Sequence, residues 1–88
     1  MQFVYVFNGN RFAGGVFTSQ DLADAWIQKH ALTGMLTKYP LDVGVWEWAI
    51  EAGKFSVKRE KDSSPEFIAS FTTAGMDHWH YEDGRCIS

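Results

Sequence analysis

Two histidines near the end of the chain are the residues best spaced to do chemistry. The segment Asp77-His78-Trp79-His80 alternates as a β-strand does, so His78 and His80 would share one face, with Cβ atoms roughly 7 Å apart. Two imidazoles at that spacing can bind a metal such as zinc if further ligands converge on them. The candidate further ligands are His30, Glu82 and Cys86. No recognised ligand spacing connects these residues, so two polar side chains on an exposed terminal strand are the competing interpretation.

Three other segments have the residue types of catalytic sites but not the required arrangement. Cys86 with a histidine could act as a nucleophile, but we predict that it lies in a poorly ordered terminal tail. Glu82 and Asp83 are adjacent in sequence, whereas an acid–base pair must converge on one cleft. The glycine-rich segment 8–15 leads into a predicted strand, and a phosphate-binding loop leads into a helix. We therefore expect neither catalytic residues nor a cofactor.

Aromatic residues beside acidic residues form the candidate binding surface. Four such residues lie around the start of the predicted second helix, and tryptophan and tyrosine are frequent interface hot spots. Trp26 and Trp48 are predicted to pack in the core, while Trp46 and Trp79 are candidates for exposed anchors. The full set of candidate partner-binding residues is Tyr39, Asp42, Trp46, Glu47, Trp79, Glu82 and Asp83.

The hydrophobic pattern predicts an α+β fold, with a small mixed or antiparallel sheet and helices packed mainly on one of its faces. Apolar and β-branched runs predict strands at 3–8, 14–18, 32–39 and 76–82. Alternating residues at 55–59 add a short edge strand, where lysines would discourage pairing with other molecules. The predicted order is β-β-α-β-α-(β)-α-β.

Three helices are predicted from their terminal signals. Thr18 is the predicted N-cap of the first helix, with Asp21 completing an approximate capping box. The second helix is predicted to run from Asp42 as N-cap to Gly53 as a left-handed C-cap. The third begins at Ser63-Ser64-Pro65-Glu66, where either serine fits as the cap. The predicted apolar stripe of the first helix is Leu22, Ala23, Trp26, Ile27 and His30.

Length and composition limit the class of protein. Residues 1–88 are predicted to form a single α+β domain, and 45% hydrophobic residues exclude intrinsic disorder. A net charge of −3 argues against nucleic acid and anionic membranes as partners, and we assign the basic segment 54–61 to a solvated loop or edge strand. One cysteine cannot form an intrachain disulfide. The N-terminal segment has no signal-peptide pattern, so a cytoplasmic location is expected.

The chain resembles a family of small bacterial proteins classified as a domain of unknown function. The segments that carry the resemblance are Val6-Phe7-Asn8-Gly9, Gly15-Val16-Phe17, Ala25-Trp26-Ile27, Leu32-Thr33-Gly34, Leu36-Thr37-Lys38-Tyr39-Pro40, Asp42-Val43-Gly44-Val45, Trp48-Ala49, Ser64-Pro65-Glu66-Phe67-Ile68 and His80-Tyr81-Glu82-Asp83-Gly84. Small proteins of this kind often resemble immunity partners of bacterial toxins, so the resemblance implies neutralisation of a toxin by direct binding.

Three functional hypotheses follow from the sequence. The first is a non-enzymatic protein-binding domain, and in its sharper form an immunity protein whose acidic residues cover a basic toxin. The second is a small metal-binding protein or metalloenzyme that uses His78 and His80. The third is a homo-oligomeric structural or regulatory domain that pairs through an open sheet edge.

Overall fold

An antiparallel five-stranded sheet is the largest element of the computed structural model, which describes residues 1–88. Its strands are β1 (Phe3–Asn8), β2 (Ala13–Phe17), β3 (Gly34–Pro40), β4 (His78–Glu82) and β5 (Arg85–Cys86). Their order across the sheet is β2-β1-β3-β4-β5, and every pairing is antiparallel. The helices are α1 (Gln20–Lys29), α2 (Val45–Glu51) and α3 (Pro65–Ser70), and a 3-10 turn spans Glu60–Ser63. The predicted α+β class is confirmed.

The chain divides into two compact units. The sheet unit comprises residues 1–41 and 76–88, and therefore contains all five strands and α1. The helical unit comprises residues 42–75, which contain α2, the 3-10 turn and α3. The assignment of residues 1–88 to a single domain stays a prediction.

The core of the sheet unit lies between α1 and one face of the sheet. Pairing of Phe7 with Leu36 puts both side chains on the same face, and both are buried. Ala23 and Ile27 of α1 are buried against them. The ring centroids of Trp26 and Phe7 are 5.7 Å apart with nearly perpendicular planes, a favourable edge contact. The predicted core position of Trp26 is therefore confirmed.

The start of α1 differs from the prediction by one residue. Ser19, not Thr18, is the N-cap, and its hydroxyl accepts a hydrogen bond from the Leu22 N–H at 3.2 Å. The predicted buried position of Leu22 is wrong, because this side chain is 58% exposed. The apolar stripe that contacts the sheet is consequently narrower than the sequence suggested.

The first turn of α2 begins later than predicted. Asp42 has a φ of 64°, which places it outside the helix, and Gly44 is the N-cap without any side-chain hydrogen bond. The predicted capping role of Asp42 is therefore wrong. Gly53 does close the helix in the left-handed conformation, with a φ of 75°. Its N–H bonds to the carbonyl of Ile50, and the Lys54 N–H bonds to that of Ala49, which together form a Schellman motif.

The edge strand predicted at 55–59 is absent. The backbone N–H groups of Lys58 and Arg59 both donate to Oδ2 of Asp62, each at 3.1 Å. These bonds satisfy donors that a β-ladder would otherwise use, and the 3-10 turn follows directly. Farther on, Ser64 caps α3 by accepting from the Phe67 N–H, with Pro65 at the first helical position. Of the two predicted serine caps, Ser64 is the one in place.

The C-terminal segment forms a hairpin. Asp83 and Gly84 have φ values of 51° and 83°, the left-handed pair that a two-residue β-turn of this type requires. Cys86 therefore lies in β5, paired with Tyr81, although its side chain is exposed. The prediction of a poorly ordered tail at Cys86 is wrong, because the hairpin ties this residue to the sheet.

Tyr81 links β4 to α1 and leads to a prediction about alkaline pH. Its buried hydroxyl donates to Asp24 Oδ1 at 2.9 Å. Burial first, and then this bond, raise the pKa of Tyr81 above its ordinary value of 10.0. From pH 10 upward the unfolded phenol ionises before the folded one, so the free energy of unfolding should fall as the pH rises. In urea denaturation, the free energy of unfolding of Tyr81→Phe should fall less between neutral and alkaline pH than that of the wild type. The control variant Tyr39→Phe should show the same fall as the wild type.

Candidate binding site

The candidate partner-binding residues from the sequence are divided between the two units. Four lie in the sheet unit and three in the helical unit. Within the sheet unit, the strand register places Trp79 on the face that carries Leu36, whereas Tyr39 lies on the opposite face. Trp79 packs against the core with its ring centroid 6.1 Å from that of Tyr5. The structure therefore does not bring Trp79 and Tyr39 together.

The acidic candidates are exposed, but the tryptophan between them has a structural role. Asp42 and Glu47 are exposed, and a Cβ added at Gly44 would overlap Oε1 of Glu47, so this carboxylate lies over the first turn of α2. Trp46 is half-buried, and its indole N–H donates to the carbonyl of Asp62 at 2.9 Å. This bond joins α2 to the 3-10 turn and leaves Trp46 with its polar group already paired.

The two late histidines lie close together without a third ligand. Their ring centroids are 5.4 Å apart, and Nδ1 of His78 is 2.8 Å from the carbonyl of Met76. No group of three or more His, Cys, Asp or Glu side chains converges to hold a metal ion. His30 instead contacts Trp26, at a centroid distance of 5.9 Å. The metal hypothesis therefore rests on two imidazoles alone.

His80 and Glu82 share a shallow depression in the sheet unit. Its volume is about 420 Å³, and it is open to solvent. The lining residues are Asn8, Thr33, Gly34, Met35, His80, Tyr81, Glu82 and Ile87. Met35 and Ile87 supply exposed apolar side chains here, and Glu82 supplies the acidic group. The depression offers apolar contact area but no concentration of charge.

A larger hollow in the helical unit combines aromatic and basic side chains, and we call it the basic hollow. Its volume is about 670 Å³. It is lined by Ile50, Gly53, Lys54, Phe55, Ser56, Lys58, Arg59, Asp62 and Phe67. Phe55 and Phe67 are half-buried and stacked, with centroids 5.6 Å apart and ring planes 30° apart. These rings supply an apolar surface beside three cationic side chains.

Two local structures position the basic hollow. The Schellman motif at Gly53 turns the chain directly after α2, and the N–H groups of Lys54 and Phe55 both bond to the carbonyl of Ala49. On the other side, α3 carries Phe67 at its third residue, where the Ser64 cap fixes the helix start. The ring of Phe71 lies 4.8 Å from Phe55 and 5.7 Å from Phe67, centroid to centroid, so it supports both.

Asp62 anchors the cationic segment of the basic hollow. Its carboxylate accepts from the backbone N–H groups of Lys58 and Arg59 and from the Arg59 guanidinium, whose Nη2 lies 3.4 Å from Oδ1. The Lys58 N–H bond is the main cause that lowers the pKa of Asp62, with smaller contributions from Arg59, against an opposing effect of burial. The carboxylate is therefore ionised at neutral pH and holds the segment in place.

The cations of the basic hollow remain largely free to bind another molecule. The pair between Arg59 and Asp62 is the one ion pair of the structure, so Lys54 and Lys58 have no carboxylate partner. The Arg59 side chain is 65% exposed, and a guanidinium has five N–H donors, most of which this pair leaves unused. An incoming carboxylate would thus meet three cations without displacing an existing partner.

Sequence reasoning missed the basic hollow as a site. The cations at 54–61 were assigned to a solvated loop or edge strand, which is the usual role of such a segment. The available signal was two phenylalanines. Phe55 lies within the cationic segment, and Phe67 follows it in the predicted third helix. Aromatic side chains are unusual in a fully solvated loop, because they expose apolar area to water. Their presence here indicates a packed and partly apolar surface.

Fold and site together define a small α+β protein with an open antiparallel sheet and open surface hollows. The model of the family described as Domain of unknown function (DUF7710) matches residues 3–87, so the chain belongs to this family. The predicted resemblance to a domain of unknown function is thereby confirmed. No curated protein and no solved structure matches the chain. None of its helices combines the length and apolar character that crossing a membrane requires.

Proposed function

We propose that the domain is a non-catalytic protein-binding module and that its basic hollow binds an acidic segment of a partner protein. The observation that supports this proposal is the set of unpaired cations, Lys54 and Lys58, beside the exposed guanidinium of Arg59 and the stacked rings of Phe55 and Phe67. Arginine and aromatic side chains are the types most enriched in interfaces between proteins.

The openness of the basic hollow favours a protein segment over a small molecule. Pockets for small ligands bury about 70–90% of the ligand surface, which an open hollow does not do. A peptide segment can instead lay one apolar side chain on Phe55 and Phe67 and direct acidic side chains to the surrounding cations. Electrostatic complementarity of this kind accelerates association and selects the sign of the partner.

Reversing two charges of the basic hollow is expected to abolish most of this binding. The probe is a fluorescently labelled peptide that alternates Asp and Glu with Phe and Leu, and its affinity is measured by fluorescence polarisation. The double variant Lys54→Glu, Lys58→Glu should bind at least about tenfold more weakly, a loss of about 1.4 kcal/mol. Binding to the wild type should also weaken as salt is added.

The matched control separates local charge from net charge. The double variant Lys29→Glu, Lys61→Glu changes the net charge equally, but neither lysine lines the basic hollow. It should keep an affinity within about threefold of the wild type, because neither side chain lines the basic hollow and the field of exposed charges is screened by salt. Equal losses in both double variants, or equal binding of a peptide with Lys in place of Asp and Glu, would rule out recognition by the basic hollow.

The immunity function is a narrower form of the same proposal. In that form the partner is a toxin encoded by the neighbouring open reading frame, and co-expression should protect the host cell. The sequence predicted a basic toxin held by acidic residues such as Asp42 and Glu47, whereas the basic hollow favours an acidic segment. Protection lost in Lys54→Glu, Lys58→Glu but kept in Asp42→Lys, Glu47→Lys supports the basic hollow, and the reverse pattern supports the basic toxin.

A further inference from the structure

The outer edge of β2 is unpaired, and its one irregularity is a bulge at Gly14, between the pairs Phe7–Gly15 and Asn8–Ala13. β2 is the first strand in the sheet order, with β1 as its single neighbour. Apart from the ladder with β1, no hydrogen bond involves the backbone of residues 13–17. The strand reads Ala13-Gly14-Gly15-Val16-Phe17, without a charge or a proline. Natural sheets usually block such an edge with lysine, proline, a bulge or a covering segment, and β2 has the bulge but neither lysine nor proline.

The opposite edge of the sheet is different. β5 has two residues, one of which is Arg85, and a strand of this length offers few backbone groups to another chain. The two edges therefore cannot pair with each other in an extended way. Association through the sheet, if it joins like edges, closes after two copies instead of growing into a filament.

Two exposed apolar side chains lie along the β2 edge. Phe12, directly before the strand, is 85% exposed, and Val16 within it is 63% exposed. Exposed large apolar residues next to unpaired backbone groups are the features of a strand that adds to another sheet. The β2 edge thus combines backbone donors and acceptors that have no partner in the chain with exposed apolar surface, whose burial would be favourable.

We propose that a second copy of this chain pairs with the β2 edge, in an antiparallel β2-to-β2 contact centred on Gly15. In this register the bulged Gly14 of one copy lies opposite Val16 of the other, so the one exposed large side chain of the strand meets a residue without a side chain. A neutral strand also pairs with its own copy without charge repulsion. This proposal is independent of the basic hollow, which belongs to the other unit.

Charge at the ends of the contact favours a second copy as the occupant. Arg11 precedes β2 by two residues and the exposed Asp21 follows it in the first turn of α1, so antiparallel pairing brings the Arg11 end of one copy beside the Asp21 end of the other. Arg11 has no carboxylate within ion-pair distance in its own chain, since the one ion pair joins Arg59 and Asp62. The two-fold contact therefore places strand ends of opposite charge beside each other at both limits of the pairing.

Sedimentation equilibrium over a range of concentrations tests this contact. The wild type should show a concentration-dependent dimer, and Val16→Lys should raise the dissociation constant at least about tenfold, because lysine on an edge blocks pairing. Val57→Lys is the matched control, an exposed valine of the helical unit, and should dimerise like the wild type. A wild type that is monomeric at every concentration, or a dimer that Val16→Lys leaves intact, overturns the proposal.

Hydrogen exchange of the wild type gives a second test that does not depend on the folding of any variant. The outward amides of β2 should become more protected as the protein concentration rises, while those of β5 should not change. Equal exchange of the β2 amides at low and high concentration excludes the β2-to-β2 contact even if a dimer forms elsewhere.

Discussion

Replacing Gly34 with alanine is expected to remove about 3 kcal/mol or more from the free energy of unfolding. A Cβ at this position would lie 2.5 Å from the carbonyl oxygen of Asn8, 2.6 Å from Cζ of Phe7 and 2.9 Å from Cα of Gly9. Favourable contacts between carbon atoms lie near 3.5–4.0 Å. Two of the three obstructing atoms belong to the backbone of β1 and its turn, so the central pairing of β1 with β3 must shift to admit the methyl group.

Thermal unfolding followed by circular dichroism measures this effect. A loss of about 3 kcal/mol corresponds to a fall in Tm of roughly 12 °C or more for a domain of this size. Gly9→Ala is the control, because a Cβ there meets its nearest atoms at 3.5 Å and 3.7 Å, which are ordinary contacts. Gly9→Ala should stay within about 1 kcal/mol of the wild type. A Gly34→Ala protein as stable as the wild type would show that β1 and β3 do not approach each other this closely.

Leu36→Ala is expected to destabilise the protein by about 2–5 kcal/mol. Leu36 is fully buried at the centre of β3, opposite Phe7 on β1 and Trp79 on β4. Along with Ile27 it is one of the two largest side chains with no exposure to solvent. Truncation removes its transfer free energy and leaves a cavity between α1 and the sheet, which a β-strand held on both sides cannot close.

The adjacent residue on the same strand provides the control for Leu36. Met35 points to the opposite face and is 37% exposed, so Met35→Ala should cost less than about 1.5 kcal/mol. Urea denaturation of both variants gives the comparison, with unchanged slopes if the unfolded states are equally extended. Equal losses from the two substitutions would mean that the core does not lie on the Leu36 face of the sheet.

The elements with strong local signals could be predicted from the sequence. The apolar run at 3–8 is β1, Gly53 ends α2 in the left-handed conformation, and Ser64 with Pro65 starts α3. Each of these features depends on residues close in sequence, such as a cap beside the N–H groups that it satisfies or a glycine where φ must be positive. A short window of residues is therefore enough to define them.

Two errors come from turn residues close in sequence, which the hydrophobic pattern alone does not reveal. Residues 55–59 alternate like a strand, but Asp62 binds the backbone N–H groups of Lys58 and Arg59 and forms a turn instead. At the C-terminus, the dipeptide Asp83-Gly84 is a strong hairpin signal, whereas the prediction of a disordered tail takes only the distance from the chain end into account. Consequently Cys86 was assigned to a disordered tail although it lies in a strand.

The geometry of the basic hollow could not be predicted from the sequence, because it depends on how α3 packs within the helical unit. Phe55 and Phe67 are separated by the whole 3-10 turn, and their stacking is set by the Ser64 cap and by Phe71. The sequence did indicate that part of the aromatic surface would be exposed. It pointed to Trp46, however, whose indole N–H is bonded to the carbonyl of Asp62 inside the same unit.

Titration of the isotope-labelled protein with the acidic aromatic peptide, followed by two-dimensional NMR, tests the proposed function most directly. We predict saturable shifts of the backbone amides of Lys54, Phe55, Lys58 and Arg59 that weaken as salt is added. In Lys54→Glu, Lys58→Glu the same shifts should need at least about tenfold more peptide to saturate. No shifts with the wild type, or shifts confined to residues of the sheet unit, would contradict binding at the basic hollow.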